Sequence, residues 1–122
     1  IMEQPWYENT TVVISGDHAT MVSGYAPDDD SYDRGVYYCF INPAAVPADR
    51  THTACTMDLF PTTLAAMGVE IEGDRLGLGT NLFSERDTIV DEFGQKEVIS
   101  QLNMKSEFYD SVLLYGEEAE EK

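Results

Sequence analysis

Basic residues are scarce: 7 Lys and Arg stand against 23 Asp and Glu in 122 residues, a formal net charge of -16. A surface of that sign repels phosphate backbones, which argues against nucleic acid as a partner, and it offers no basic patch for anionic lipid. Long apolar runs are also missing. No segment is long enough to cross a bilayer and no signal peptide is visible, so the piece is expected to be soluble as given. Cysteine is sparse as well. Cys39 and Cys55 do not define a disulfide framework, their pairing stays open, and Cys39 lies in an apolar run where it reads as a small buried hydrophobe.

What is present suffices for a folded unit. With 43% hydrophobic residues the chain can bury a core, and its length suits one domain or a large part of one. Residues 1–122 are accordingly read as a single piece. Glu117, Glu118, Glu120 and Glu121 form a terminal acidic run, and residues 117–122 are expected to be a flexible, solvated tail.

The chain is organised around Thr10-Thr11-Val12-Val13-Ile14-Ser15-Gly16-Asp17-His18. A β-branched apolar run closed by glycine predicts a buried strand that stops abruptly. Asp17 and His18 sit just past its carboxyl end, the edge at which open α/β sheets bind ligands, and a carboxylate beside an imidazole there can hold a metal ion. The same two residues also suit a plain turn, with Asp17 capping an amide and His18 facing solvent.

Ahead of this strand, Pro5, Trp6 and Tyr7 belong to a polar lead-in whose rings are placed to cover a sheet edge. After it, the loop from Ala19 to Arg34 carries Asp28, Asp29, Asp30 and Asp33. An EF-hand counted from Asp28 needs glycine sixth and glutamate twelfth, where Asp33 and Cys39 stand, so a solvated loop is the reading. Gly35 to Ile41 predicts a second strand ended by Asn42-Pro43. His52, flanked by threonines, reads as a surface histidine.

Asp58 to Gly68 predicts a helix with Asp58 near its start, Pro61 in its first turn and Gly68 as its stop, and Leu59, Phe60, Leu64 and Met67 are the expected core contacts. The glycine-rich stretch from Gly73 to Ser84 matches neither the lysine-bearing phosphate loop nor the dinucleotide pattern. It is read as a tight surface excursion packing Leu76, Leu78, Leu82 and Phe83. Asp87 or Thr88 can cap a short helix through Phe93 stopped by Gly94, and a longer amphipathic helix is predicted from about Gln95 to Tyr115.

Four segments in order, Ser15-Gly16-Asp17-His18, Phe40-Ile41-Asn42-Pro43, Met57 to Leu64 and Gly77 to Ser84, together resemble the carboxy-terminal part of the lipoteichoic acid synthase and phosphoglycerol transferase family, within the sulfatase and alkaline-phosphatase-like superfamily. The resemblance implies an α/β fold of few strands packed with helices, the carboxy-terminal portion of a larger sulfatase-like catalytic domain. It implies that Asp17 and His18 are metal ligands for a divalent cation, Mn2+ or Mg2+. The family's other ligands, its threonine nucleophile and its membrane helices have no counterpart here and are expected upstream of Ile1, so the fragment alone is expected to be inactive.

The activity implied is transfer of a phosphoglycerol group from an anionic phospholipid at the outer face of the cell membrane, with the remainder of the parent catalytic domain as this chain's partner. Two other readings stand beside it. One is a fragment of a sulfate-ester hydrolase of the same superfamily. The other is a non-catalytic acidic module that binds a partner protein.

Overall fold

The computed structural model describes residues 1–19 and 35–116. The acidic loop and the acidic tail discussed above lie outside the described residues. The chain divides into two compact units, Ile1–Glu92 and Phe93–Lys122, and the architecture is mixed α/β with short helices and two small antiparallel sheets.

In the first unit, β1 (Val12–Ser15) pairs antiparallel with β2 (Tyr38–Ile41), Val12 opposite Ile41 and Ser15 opposite Tyr38. The β-branched and aromatic residues predicted both strands. The expectation of a buried first strand is corrected, since Ile14 is 50% exposed. The cause is that β2 alone pairs with β1 among the described residues.

β2 ends at Asn42, which adopts φ +56°, a left-handed conformation that Asn tolerates better than most residues. Its side-chain amide donates to the carbonyls of Tyr7 (3.0 Å) and Thr10 (3.1 Å). The lead-in is therefore fastened through its backbone, and Trp6 is left half exposed rather than laid over the sheet.

A 3-10 turn, Thr56–Asp58, runs into α1 (Leu59–Ala66). Gly68 stops the helix at φ +85°, where its amide donates to Ala65 and that of Val69 reaches back to Leu64, the paired bonds of a glycine-terminated helix end. The expected core face is met only in part, by Leu59 and Leu64, which are half-buried. Phe60 and Met67 are 61% and 64% exposed, whereas Asp58, Pro61, Thr62, Ala65 and Ala66 are buried.

Those buried positions form one stripe at helical spacing, and a hairpin lies against that stripe at a distance that only small side chains allow. The hairpin is β3 (Arg75–Leu76) with β4 (Gly79–Thr80), turned by Gly77 at φ +61°, the sign a two-residue turn favours. A β-carbon on Gly79 would overlap the Met57 carbonyl. Of the leucines expected to pack here, Leu76 and Leu78 are about half exposed, at 45% and 54%. Phe83 does pack, edge-on against Phe40 with ring centroids 5.4 Å apart.

The short helix α2 (Ile89–Phe93) begins as expected at Thr88, whose hydroxyl accepts from the Asp91 amide (3.0 Å) while the Asp91 carboxylate accepts from the Thr88 amide (3.3 Å). In the second unit the predicted long helix is broken. α3 covers Gln95–Leu102 only, and a separate wide helical turn covers Tyr109–Leu114. The chain turns at Asn103 to Ser106, where the Ser106 hydroxyl accepts from the Tyr109 amide (3.2 Å) and starts the second segment.

Candidate metal site at the end of the first strand

Gly16 ends β1 with its amide donating to the Tyr37 carbonyl, and the next two residues turn away from the sheet. Asp17 Oδ1 accepts from the His18 amide at 3.0 Å, which folds the carboxylate toward its neighbour. Asp17 Oδ2 and His18 Nε2 lie 3.5 Å apart, with the side chains 90% and 55% exposed. This is the geometry of the turn reading, with Asp17 capping an amide and His18 facing solvent.

His18 Nδ1 is 2.8 Å from the Ala19 carbonyl. A carbonyl only accepts, so Nδ1 carries the hydrogen and the lone pair of the neutral ring lies on Nε2, the atom beside Asp17. Second-partner bonds of this kind set the tautomer of metal-bound histidines. One carboxylate oxygen and one imidazole nitrogen, mutually close and open to solvent, are a donor set suited to a divalent cation. The set is incomplete. Among the described residues no three His, Cys, Asp or Glu side chains converge as a metal site.

His52 does not join this pair, and its reading as a surface histidine is corrected. Its side chain is 4% exposed. Nε2 donates to the Ser84 carbonyl at 2.9 Å and Nδ1 faces Asp91 Oδ2 at 3.2 Å, so neither nitrogen is free to bind a metal. Burial by itself would raise the Asp91 pKa. Hydrogen bonds from the Thr53 amide, the His52 ring and the Thr88 amide outweigh it and hold the carboxyl well below the usual carboxylate range. A lone His between threonines gives no sign of this, because Asp91 lies 39 residues away.

Asp58 was expected near a helix start and proves to be a wholly buried carboxylate. Its two oxygens accept from the amides of Cys55 and Thr80, each at 2.8 Å. Near it, burial pushes the Tyr38 phenol up, helped by Cys55 and Asp58, and the Tyr38 hydroxyl has no hydrogen-bond partner among the described residues. Cys55 is also pushed up by burial. Both cysteines are free thiols, and Cys39 is half-buried rather than buried.

Three arginines are occupied inside the first unit. Arg75 pairs with Glu92 (2.6 Å) and donates to the Asp87 carbonyl (2.7 Å), Arg50 pairs with Asp87, and Arg86 donates to the Gly73 carbonyl.

No protein-family model, no curated protein and no solved structure matches the chain.

Proposed function

We propose that the chain is the carboxy-terminal part of a metal-dependent phosphoglycerol transferase that acts on membrane-lipid or cell-envelope substrates at the outer face of the cell membrane. The observation that carries the proposal is the pair Asp17 and His18, with a carboxylate oxygen and an imidazole nitrogen 3.5 Å apart, open to solvent at the end of a strand. The ordered segments that resemble the family supply the class of reaction. Among the described residues no helix is long and apolar enough to cross a membrane.

In this reading Asp17 contributes negative charge and one oxygen ligand, and His18 contributes Nε2. The Ala19 carbonyl keeps the His18 ring in the tautomer that leaves Nε2 free. A divalent cation, Mn2+ or Mg2+, held by these two residues together with further ligands would supply Lewis-acid chemistry, lowering the pKa of a hydroxyl nucleophile and offsetting charge on phosphoryl oxygens. The nucleophile and the remaining ligands belong to the rest of the parent domain, so the fragment alone binds the cation weakly and does not turn over substrate.

The test uses the full-length parent protein. Asp17→Ala and His18→Ala should each lower phosphoglycerol transfer by at least about 100-fold and weaken Mn2+ binding in calorimetric titration. Unchanged turnover and unchanged Mn2+ affinity in both variants would overturn the reading and leave an acidic partner-binding module. Turnover of sulfate esters in place of phosphoglycerol transfer would assign the parent to the hydrolases.

A further inference from the structure

A cavity of about 400 Å3 opens where α1 ends, large enough for a small organic molecule. Ala65, Val69 and Ile71 give it an aliphatic side, and Glu70, Asp74 and Asn81 give it a polar one. The polar side is held in place. Asp74 adopts φ +56°, and its carbonyl accepts from the Asn81 backbone amide (2.8 Å) while its Oδ1 accepts from Asn81 Nδ2 (2.9 Å).

Asn81 Oδ1 accepts from the Phe83 amide at 3.0 Å, which fixes the nitrogen as the end of the side chain turned to Asp74. Asn81 is 8% exposed. Its Nδ2 carries two hydrogens. One goes to Asp74 and the other bonds to no described residue, although a buried donor is costly to leave unpaired. Asp74 Oδ2 and the Glu70 carboxylate likewise accept from no described residue. No Lys, Arg or His lines the cavity, and Arg86, which comes close enough to donate to the Gly73 carbonyl, forms no ion pair with Asp74 among the described residues.

The complement of such a wall is a cation with N–H groups that carries an acceptor beside them, on a short hydrocarbon chain. A protein of net charge -16 attracts cations, so the field of the whole chain favours the same ligand. A metal ion suits the wall less well, because the spare Asn81 N–H would face it and no three His, Cys, Asp or Glu side chains converge among the described residues. An amino acid would bring a carboxylate up to Asp74 and Glu70, whereas a hydroxyl brings no charge. We propose that this cavity binds a small aliphatic amino alcohol, with its ammonium on Asp74 Oδ2 and Glu70 and its hydroxyl oxygen accepting from Asn81 Nδ2. Asp17 and His18 do not line the cavity, so the site stands or falls apart from the transferase reading.

Titration of the 122-residue chain with leucinol at low salt, followed by amide NMR shifts, tests it. Saturable shifts should be confined to the cavity, at Ala44, Ala65, Val69 and Asn81, with half-saturation at about 1 mM. Two analogues, 4-methylpentan-1-ol without the ammonium and 3-methylbutylamine without the hydroxyl, should each bind at least about tenfold more weakly. Asp74→Asn keeps a residue that tolerates the left-handed backbone and an acceptor for Asn81, and removes only the charge, so it should weaken leucinol at least about tenfold in an otherwise unchanged spectrum. Equal binding of leucinol and the alcohol would overturn the proposal in favour of a merely apolar cavity. Shifts spread along the chain, or undiminished by Asp74→Asn, would overturn it in favour of unspecific attraction of a cation to an acidic protein. Mg2+ that shifts the same amides and displaces leucinol would reassign the wall to a metal, and the absence of any saturable shift would end the proposal.

Discussion

Replacing Asp58 by alanine tests the junction that holds the first unit together. The carboxylate is fully buried and accepts from the amides of Cys55 and Thr80 at 2.8 Å each. Its removal leaves the buried Thr80 N–H and the part-buried Cys55 N–H without acceptors, at about 1–3 kcal/mol apiece, for a gross cost of about 2–6 kcal/mol. Relief of the carboxylate's own desolvation works the other way, so a net loss of about 3 kcal/mol is expected. For a unit of this size that shift lowers Tm by roughly 12–24 °C.

Asparagine keeps one oxygen and turns an NH2 group toward the other amide, so Asp58→Asn should cost about half as much. Urea unfolding followed by far-ultraviolet circular dichroism measures both variants. An Asp58→Ala midpoint that corresponds to less than about 0.5 kcal/mol would refute the anchoring role. Equal losses in the two variants would place the effect in the charge and not in the acceptor geometry.

Gly79→Ala should cost about 3 kcal/mol or more by urea midpoint, because the added methyl meets the Met57 carbonyl and Pro61, neither of which is a flexible side-chain tip. Gly35→Ala, with open space around the added carbon, is the control expected to be neutral. Asp91 has its folded pKa lowered, so the native state binds fewer protons than the unfolded chain across the acid range. Its contribution is complete above the unfolded value of about 3.9 and is lost as pH falls toward the folded pKa, so stability measured in urea against pH should fall less steeply below about pH 4 in Asp91→Asn than in the parent sequence.

Backbone signals were the most legible part of the sequence. β-branched and aromatic runs announce β1 and β2, Gly68 announces the end of α1, and Thr88 announces the start of α2. Each depends on a residue and its near neighbours. The core face of α1 depends on what lies opposite, and apolar character alone sends Phe60 and Met67 inward when both are exposed. His52 is misread for the same reason, since its partners Ser84 and Asp91 come from segments 32 and 39 residues further on. The predicted helix through Tyr115 fails because apolar spacing continues across Asn103 to Ser106, while the Ser106 hydroxyl offers the Tyr109 amide a new start. Asp17 and His18 are legible as a pair because they are neighbours in sequence. Their ring tautomer, set by Ala19, is not.

Two of the segments that carry the family resemblance, Met57 to Leu64 and Gly77 to Ser84, read as a helix and a surface excursion in sequence and prove to be two sides of one junction. Asp58 accepts from the Thr80 amide, the Thr62 hydroxyl accepts from the Leu82 amide (3.0 Å), and Met57 leaves no room for a side chain at position 79. Thr62 and Thr80 are buried with Asp58, so polar residues occupy the place where leucines were expected. Asp58 and Thr62 each bond to backbone of Thr80 across the junction, and the Thr80 hydroxyl accepts from Arg75 Nε (3.3 Å), which offsets the cost of taking them out of water. A Leu in place of Thr62 would remove the acceptor for the Leu82 amide and enlarge a side chain already packed at 1% exposure. Residue types at such a junction answer to hydrogen bonds across it, and hydrophobic patterning along either segment alone does not contain that information.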